Sequence, residues 1–580
     1  MVGVSERLVE LFHPEHGDLV VGPGVPAQGD AGRFVVVGVD RFGRHRDFRS
    51  AGADVVVSDL GALRMTGITP IADPLLLLDP DDDDDREGVR ESLFTLGNGY
   101  VATRGARAYV ADDGHHYPGT YFAGVFDRFS RQVDGDTMDE EALVNAPNWL
   151  SLSFAVEGGP WLGSDPLVVE PRGLTLDLSR GLVTRRSTVE DGSGRRTSVL
   201  ERRLVSMADP HLAALETHLV AENWSGQLEV RAELDGAVRD NETTEEQLLG
   251  GDHLELVEAE AGTKVAQLAV RTIQSQIVLA QVQRASITNG RATTRGQRSR
   301  TGVGQHFTLE VAEGQRVSCE KLVALYTSRD AATPDPLAAA RSALEMAEGF
   351  AELLADHEAA WARLWARSAV VVRDETTVIQ RLVNLHLFHV LQVASPHVVD
   401  RDVGIGARGL HGEGYFGHVF WDELFVLPVI TRRYPSVARS LLSYRAHRLK
   451  PAQAAAAAEG HRGAMIPWQS ASDGRDETPH LLYNARSGHW IEDRSRYQRH
   501  VGLAVGFNFW QYFETTGDQQ HLFDVGAEVI LNIALYFADL ARFDEGLGRY
   551  RICGVIGPDE FHDGYPWRSE PGVDDNAYTN

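Results

Sequence analysis

The 580-residue sequence contains only two cysteines, Cys319 and Cys553, which lie far apart in the chain. They provide neither a disulfide framework nor a paired-cysteine metal motif, and they suit a reducing compartment. The N-terminus lacks a basic segment followed by an apolar one, so it does not resemble a signal peptide. No uninterrupted apolar run approaches the roughly 20 residues that a membrane span needs. These absences predict a cytoplasmic protein without a membrane partner.

Positive charge is also scarce, because 56 lysines and arginines stand against 83 aspartates and glutamates, a net charge of −27. Such a surface repels nucleic-acid phosphates and anionic lipids, so neither is an expected partner. The hydrophobic share of 43% and the charged share of 24% are ordinary for globular proteins. The length predicts several folded domains with sizeable cores.

The N-terminal part shows little folding capacity of its own. Two β-branched runs, Phe34–Asp40 and Ala53–Leu60, are typical of buried strands in a parallel sheet. Two such strands cannot form a domain alone, so residues 1–63 are predicted to be an α/β remnant. The run Asp79–Gly88 contains five successive aspartates, which repel one another. It predicts a solvated acidic linker over residues 64–90.

Residues 91–335 follow a β pattern. An Asp-Gly-Ser-Gly turn at Asp191–Gly194 separates two β-rich runs and indicates a hairpin. Many strands separated by polar turns predict a large antiparallel β-sandwich. In one predicted strand, four apolar residues alternate with polar ones: Leu228, Val230, Ala232 and Leu234.

Helical patterns replace the strands after Pro336. Residues 336–375 are rich in alanine, leucine and glutamate and predict a helical linker. Residues 376–580 predict helices joined by long loops, in the manner of an α/α barrel that contains about half of its helices. The first helix carries apolar residues three or four apart on one predicted face: Ile379, Val383, Leu387, Leu391 and Ala394. Further helices are expected near Ser436–Leu449, Tyr497–Thr516 and Gln520–Phe543.

Three loops of the helical part combine glycine, carboxylates and aromatic residues: Gly406–Phe425, Gly463–Pro479 and Gly554–Gly564. Sugars are bound by this mixture, because aromatic rings cover the apolar face of a pyranose and carboxylates or amides bind its hydroxyls. The spacing of the loops allows all three to meet on one rim of an α/α barrel.

Four ordered motifs carry a resemblance to a known family. They are ESLFTLGNGYVATRG (Glu91–Gly105), NAPNW (Asn145–Trp149), GEGYFGHVFWDELF (Gly412–Phe425) and GPDEFH (Gly557–His562). From about Glu91 onward, the chain resembles the maltose, trehalose and kojibiose phosphorylases of glycoside hydrolase family 65. The segment before it resembles the tail of a haloacid-dehalogenase or β-phosphoglucomutase-like domain, although the D-x-D-G nucleophile motif of that fold does not precede it.

The resemblance implies a multidomain α+β protein, in which a large antiparallel β-sandwich is followed by an incomplete, C-terminally truncated (α/α)6 barrel. It also implies an inverting reaction. A carboxylic acid protonates the glycosidic oxygen of a maltose-, trehalose- or kojibiose-type disaccharide, while inorganic phosphate attacks the anomeric carbon and β-glucose 1-phosphate is released. No cofactor and no metal are expected, phosphate acts as co-substrate, and a homodimer is possible because family members are often dimers.

Site residues are carried over by motif. Glu560 of GPDEFH is the expected general acid, and burial or the neighbouring Asp559 would raise its pKa as that role requires. The other expected positions bind substrate: Trp421, Asp422, Trp468, Gln469, His418, Tyr415 and Asn580. Gln469 departs from the glutamate that several phosphorylases have there, and Glu423 has no clean counterpart.

Structural alternatives stay open for several of these positions. Trp421 could pack in the core with Asp422 as a helix N-cap. His418 and Tyr415 could simply pack a loop. A structural turn is the favoured interpretation of three residues of the first motif: Asn98, Tyr100 and Arg104.

Two other functions stay open as well. The family also includes inverting α-glucosidases, in which an activated water replaces phosphate. The residues that decide between the two reactions lie beyond Asn580 in the family's pattern. A truncated chain could also be an inactive sugar-binding fragment, whose exposed apolar helix faces favour association.

Overall fold

The structure is a computed structural model that describes residues 73–79, 87–133, 135–164, 166–240, 253–372, 377–484, 486–558 and 563–579, together with the backbone of three strands nearer the N-terminus. These strands are β1 (Asp18–Pro23), β2 (Phe34–Val39) and β3 (Val55–Val57). β2 pairs with β3 in parallel and with β1 in antiparallel orientation. The two β-branched runs of the sequence therefore form neighbouring parallel strands, as their composition predicts.

Three antiparallel sheets make up the next part of the chain. Nine strands lie in the order β15-β16-β17-β20-β13-β12-β11-β10-β4, four in the order β18-β19-β14-β9, and four more in the order β5-β6-β7-β8. The strands are β4 (Leu76–Asp79), β5 (Leu96–Gly97), β6 (Val101–Thr103), β7 (Thr120–Val133), β8 (Asp136–Asn145), β9 (Leu152–Val156), β10 (Val168–Asp177), β11 (Leu182–Glu190), β12 (Arg196–Val205), β13 (Leu212–Ala221), β14 (Gly226–Asp235), β15 (Leu254–Ala261), β16 (Ala266–Thr272), β17 (Val278–Thr288), β18 (Thr293–Arg298), β19 (Gly302–Val311) and β20 (Arg316–Thr327).

The core lies between the nine-stranded sheet and the β18-β19-β14-β9 sheet. The alternating residues of β14 face this core, and each of them is at most 1% exposed: Leu228, Val230, Ala232 and Leu234. β11 and β12 pair across the predicted turn, with Glu190 opposite Arg196. The period-two pattern and the hairpin are confirmed, and with them the large antiparallel sheet domain.

The stretch predicted as an acidic linker contains regular structure at both of its described ends. β4 pairs with β10 and forms an edge of the nine-stranded sheet, with Leu76 opposite Asp177. A short helix, α1 (Glu87–Leu93), begins within the same stretch. The aspartate run hides the strand from composition alone, since the apolar residues that pair immediately precede it.

Helices follow the sheets. α2 (Pro336–Met346) and α3 (Phe350–Ser368) lie in the range expected for the linker, and they pack on one face of the nine-stranded sheet against Leu182 and Leu204. The helical domain then contains α4 (Val378–Val393), α5 (Glu423–Arg433), α6 (Pro435–His447), α7 (Leu449–Ala458), α8 (His500–Thr516), α9 (Gln519–His521) and α10 (Ala527–Leu540), with two hairpins, β21 (Leu481–Asn484) with β22 (His489–Glu492) and β23 (Arg542–Asp544) with β24 (Arg549–Arg551).

The predicted apolar face of α4 is wrong in part. Ile379 is 54% exposed, whereas the buried residues of this helix are Asn384, Leu385, Phe388, Leu391 and Gln392. Residues spaced four apart drift by about 40° at each step, because a turn takes 3.6 residues. A strict four-residue stripe therefore winds round the helix, and only its later members face the core.

Large apolar side chains lie on the surface of neighbouring helices of this domain. α8 packs against both α5 and α10, and the exposed residues on the three helices include Phe425, Val429, Leu503, Phe507, Trp510, Leu531 and Leu535. Among the described residues, one helical run, Gln519–Leu540, is long and apolar enough to cross a membrane, although it contains charged residues that interrupt its apolar run. A single such helix is weak evidence for a membrane, since core helices of soluble domains have the same composition.

A buried histidine on α3 joins this helix to the sheet domain. The Nδ1 atom of His357 accepts a hydrogen bond from the backbone N–H of Met207 at 2.9 Å, and its Nε2–H donates to the carbonyl of Gly181 at 3.2 Å. Both contacts require a neutral imidazole, and burial lowers the pKa of His357 to about 4. Trp361, one turn further along α3, lies directly over Gly181.

Stability should fall as the pH is lowered from 6.5 towards 4, because His357 takes up a proton in the unfolded chain, where its pKa is near 6.5, but not in the folded one. Each such histidine contributes about 1.4 kcal/mol per pH unit in this window. The variant His357→Gln offers the same acceptor and donor without titrating. We expect wild type to lose about 2–3 kcal/mol more than this variant between pH 7 and pH 4.5 in urea denaturation. If the free energy of unfolding changed in parallel with pH in wild type and in His357→Gln, this account would be contradicted.

Replacing Gly181 by alanine should destabilise the chain by about 2–4 kcal/mol. Gly181 has a φ of +58°, and an added Cβ would collide with the indole nitrogen of Trp361. Gly192 is a matched control, because a Cβ there meets no atom within 4 Å and its φ lies outside the left-handed region. Thermal unfolding of Gly181→Ala and Gly192→Ala checks the difference, and equal midpoints would show that the close approach to Trp361 is unimportant.

Candidate active site

Two loops of the helical domain are joined by a backbone bridge. Val419 N–H donates to the carbonyl of Ser470 at 2.8 Å, and Ser470 N–H donates to the carbonyl of Val419 at 3.2 Å. The bridge brings Trp421 and Trp468 together, with ring centroids 6.3 Å apart and planes inclined by 49°. The first and second loops predicted from composition therefore meet, and their tryptophans form what we call the indole pair.

Asp422 begins helix α5 at the N-cap position, but its side chain makes no capping hydrogen bond in the described part of the chain. The residue is half-buried, and burial raises the pKa of its carboxyl group. The carboxyl group therefore does not cap the helix, which argues against the alternative that Asp422 is only a structural cap. It lies beside the indole pair, where a sugar hydroxyl could bind it.

Glu423 has a structural place. Its carboxylate accepts a hydrogen bond from the guanidinium of Arg445 at 2.8 Å, and both side chains are 3% exposed. The backbone N–H of Ile405 also donates to it, at 3.3 Å. Glu423 thus fixes the start of α5, and its buried carboxylate is used by Arg445 and Ile405.

His418 and Gln469 contact each other beneath the indole pair. His418 is fully buried, with Nδ1 at 2.8 Å from the side-chain amide of Gln469 and Nε2 at 2.6 Å from the carbonyl oxygen of Glu141. Both ring nitrogens of His418 are thus used by protein groups. This favours a supporting position for His418 over the direct hydroxyl contact that the sequence suggested.

Tyr415 lies at the rim of the same loop. Its side chain is 54% exposed, and its ring meets that of Phe420 edge to face at 5.6 Å. Its backbone has a φ of +60°, which is uncommon for a residue other than glycine. Phe420 in turn contacts Trp468 at 5.3 Å. Tyr415 is therefore accessible to a ligand that extends beyond the indole pair.

Sequence reasoning missed His500, the first residue of α8. Its ring lies 4.7 Å from Trp421 and 5.2 Å from Trp468, so it touches both indoles. The residue is 3% exposed, and burial lowers its pKa to about 4, so it is neutral near pH 7. Neither ring nitrogen makes a hydrogen bond of normal geometry with a described residue. The apolar sequence that follows His500 gives no local signal of a site.

Asp476 is a second missed residue. Its carboxylate accepts hydrogen bonds from the hydroxyl and N–H of Thr478, at 2.6 and 3.1 Å, and that hydroxyl lies 3.3 Å from the backbone N–H of Gln469. Solvent reaches the side chain, yet desolvation by the surrounding protein raises the pKa of Asp476. The second loop therefore contributes one carboxyl group with a raised pKa, Asp476, in addition to Asp422 of the first loop.

The third loop can be followed only at its flanks, because Glu560 and Asn580 lie outside the described residues. Ile556 N–H donates to the carbonyl of Tyr497 at 3.0 Å, and the backbone of Ile556 lies against His500. On the far flank, the ring of Tyr578 lies 6.3 Å from Trp421 and 6.2 Å from His500. The near flank of the loop thus reaches His500, and Tyr578 on the far side reaches both His500 and Trp421.

The sheet domain supports these loops through β7 and the segment between β6 and β7. Glu413 accepts hydrogen bonds from the hydroxyls of Tyr117 and Tyr121, and Arg104 donates to the carbonyl of His411 at 2.8 Å. Asn98 caps its own turn, with Oδ1 accepting from two backbone N–H groups at 3.0 Å. The structural interpretation of the first motif therefore fits Asn98, while Arg104 connects the two domains.

An acidic cluster lies at the same junction. Among the described residues, the carboxylates of Glu141, Asp473 and Glu477 approach within 4.8 Å of one another. Arg128 binds Glu477 with both guanidinium nitrogens, and Ser472 donates to Glu141 at 2.6 Å from its hydroxyl. These contacts already compensate the negative charge of the cluster, so we assign no metal ion to it.

Comparisons with known proteins agree with this arrangement. Residues 80–364 match the N-terminal domain of glycosyl hydrolase family 65, and residues 384–580 match the central catalytic domain of that family. An uncharacterized glycosyl hydrolase of Mycobacterium tuberculosis is 43% identical over 564 residues, which are 95% of this chain and 42% of that protein. Trehalose 6-phosphate phosphorylase of Lactococcus lactis is 32% identical over 494 residues, which are 85% of this chain and 62% of that protein. The chain therefore spans 42–62% of the length of these relatives.

One solved structure, of a protein from the human microbiome, has a TM-score of 0.72 to this chain at 20% identity. The match covers 87% of this chain and 64% of that chain. It shows that the sheet domain followed by a helical domain is a shared fold.

Removing the ring of His500 should disturb the indole pair, because the imidazole packs against both Trp421 and Trp468. We expect His500→Ala to change the near-ultraviolet circular dichroism of the tryptophans. His521 is a matched control, since it is 2% exposed and its ring nitrogens also make no hydrogen bond with a described residue, yet it packs on Phe509 and Tyr512. Equal effects of His500→Ala and His521→Ala would mean that His500 only fills the core.

Proposed function

Because the chain belongs to glycosyl hydrolase family 65, we propose that it carries the glucose-binding and proton-donating part of an inverting α-glucoside phosphorylase. The substrate is an α-linked glucose disaccharide of the maltose, trehalose or kojibiose type. Phosphate is the only other reactant, and the products are β-glucose 1-phosphate and the second sugar. No cofactor or metal ion takes part.

The observation that carries this proposal is the indole pair with Asp422 beside it. Two aromatic rings 6.3 Å apart offer apolar surface to the C–H face of a pyranose. The carboxyl group of Asp422 does not cap its helix, so it can bind a glucose hydroxyl. Trp421 and Asp422 therefore hold the glucosyl unit, and Trp468 with Gln469 complete its subsite.

Glu560 is the proposed general acid. It follows Pro558 by two residues, and the preceding Ile556 lies against His500, which contacts both rings of the indole pair. In the reaction its carboxylic acid protonates the glycosidic oxygen, and phosphate attacks the anomeric carbon from the opposite face. The leaving sugar keeps that proton, and the configuration at the anomeric carbon is inverted.

The name of one relative supports phosphate rather than water as the attacking group. The Lactococcus lactis protein, 32% identical to this chain, is named as a phosphorylase. Its name also adds trehalose 6-phosphate to the substrates that should be tested. The groups that bind phosphate are not assigned to any residue of this chain.

The decisive experiment incubates the chain with maltose, trehalose, kojibiose, nigerose and trehalose 6-phosphate, each with and without phosphate. β-Glucose 1-phosphate formed only with phosphate supports the proposal, whereas free β-glucose in both conditions indicates an inverting hydrolase. Sugar binding without turnover indicates a sugar-binding fragment. We expect Glu560→Gln to lower turnover by roughly 10²–10⁴-fold. Glu570→Gln, an exposed neighbour, is the control and should leave it unchanged. Activity of Glu560→Gln within tenfold of wild type would remove Glu560 from the mechanism.

A further inference from the structure

The hydrogen bonds of His418 contain a conflict that decides how Gln469 is oriented. The carbonyl oxygen of Glu141, 2.6 Å from Nε2, can only accept, so Nε2 must carry a proton and donate. A neutral imidazole then has only a lone pair at Nδ1. The nearest atom of Gln469, at 2.8 Å, is placed as the amide oxygen, which is a second acceptor. Two acceptors at this distance do not form a hydrogen bond.

A charged imidazolium would remove the conflict but is disfavoured by its surroundings. His418 is fully buried, and two of its neighbours are aromatic rings, Phe416 at 5.7 Å and Phe126 at 6.4 Å. Both polar contacts of His418 are to neutral groups. Burying an unpaired charge costs several kcal/mol, whereas turning an amide by 180° costs little. The oxygen and nitrogen of an amide also have nearly the same shape, so either orientation fits the space.

We propose that His418 is a positioning residue that holds the amide of Gln469 with its nitrogen toward the imidazole and its carbonyl oxygen toward the glucose site proposed at the indole pair. The amide N–H then donates to Nδ1, and every polar atom of His418 is satisfied. The second amide atom of Gln469 makes no hydrogen bond with a described residue and is not sealed from solvent. This atom is the one that meets a ligand, and the proposal identifies it as an acceptor.

The specificity that follows rests on the proposed function, namely that glucose binds at the indole pair. An acceptor oxygen at Gln469 selects a sugar hydroxyl that donates its proton. The site therefore discriminates against glucose analogues that lack that donor, even when they keep an acceptor of similar size. A glutamate at this position could not donate to Nδ1, so it would require a charged His418. The glutamine thus keeps the His418–Gln469 pair neutral.

The state of His418 can be measured without any sugar. In protein labelled with ¹⁵N-histidine, long-range ¹H–¹⁵N correlations distinguish the two neutral tautomers and the imidazolium, and the variant His418→Asn identifies the resonance. At pH 7 we expect the neutral form protonated at Nε2 in wild type and an imidazolium in Gln469→Glu. A wild-type imidazolium, or protonation at Nδ1, overturns the proposal even if sugars bind as expected.

Deoxy and deoxyfluoro glucoses test the direction of the hydrogen bond between Gln469 and the sugar. A fluorine can accept but not donate, so at one ring position both analogues should lose the same affinity, about threefold to tenfold. The loss should disappear in Gln469→Leu and persist in Gln453→Leu, whose glutamine binds Asn532 away from the indole pair. If the fluoro analogue keeps affinity that the deoxy analogue loses, the amide nitrogen faces the sugar and the proposal is wrong. Absence of any glucose binding would refute the proposed function instead.

Discussion

One residue of the sheet domain, Glu141 on β8, holds both loops of the candidate site. Its carbonyl oxygen accepts from His418, its N–H donates to Glu477 at 3.1 Å, and its carboxylate accepts from the N–H and hydroxyl of Ser472. The loop of His418 and the loop of Trp468 therefore take their positions from a strand that belongs to the other domain. Because all these contacts are polar and directional, they fix distances as well as proximity. The indole pair depends on this arrangement.

This dependence explains why glycine-rich loops can form a site at all. Such loops have few hydrogen bonds of their own and lose much conformational entropy when they are fixed. The structure offsets that cost with contacts from the sheets, through Glu141 and through the two tyrosine hydroxyls that bind Glu413. The sheet domain is thus part of the site, and a helical domain detached from it would lack the groups that orient His418 and Gln469.

Local patterns in the sequence predicted what local physics controls. The alternation in β14 and the turn before β12 are confirmed, because side chains in a half-buried strand face the core at every second residue. The composition of the loops also indicated that Trp421 and Trp468 belong together. His500 and Glu141 were not found, because each acts through contacts with residues far away in the sequence. Asp476 lies in the second predicted loop and contacts Thr478 of the same loop, but the composition of that loop does not show which of its carboxylates is desolvated. The stripe on α4 was wrong in part, because residues spaced four apart drift round the helix and only the later members of the stripe face the core.

Electrostatics provides the last condition for the proposed chemistry. An anionic co-substrate must approach a protein with a net charge of −27. Near the indole pair, much of the negative charge is compensated, since Arg445 pairs with Glu423 and Arg128 with Glu477. Desolvation raises the pKa values of Asp422 and Asp476, which lowers the cost of adding a proton there. A neutral amide at Gln469 adds no further charge to this region. The same desolvation favours a carboxyl group that keeps its proton, and a general acid beside the indole pair must keep its proton in this way.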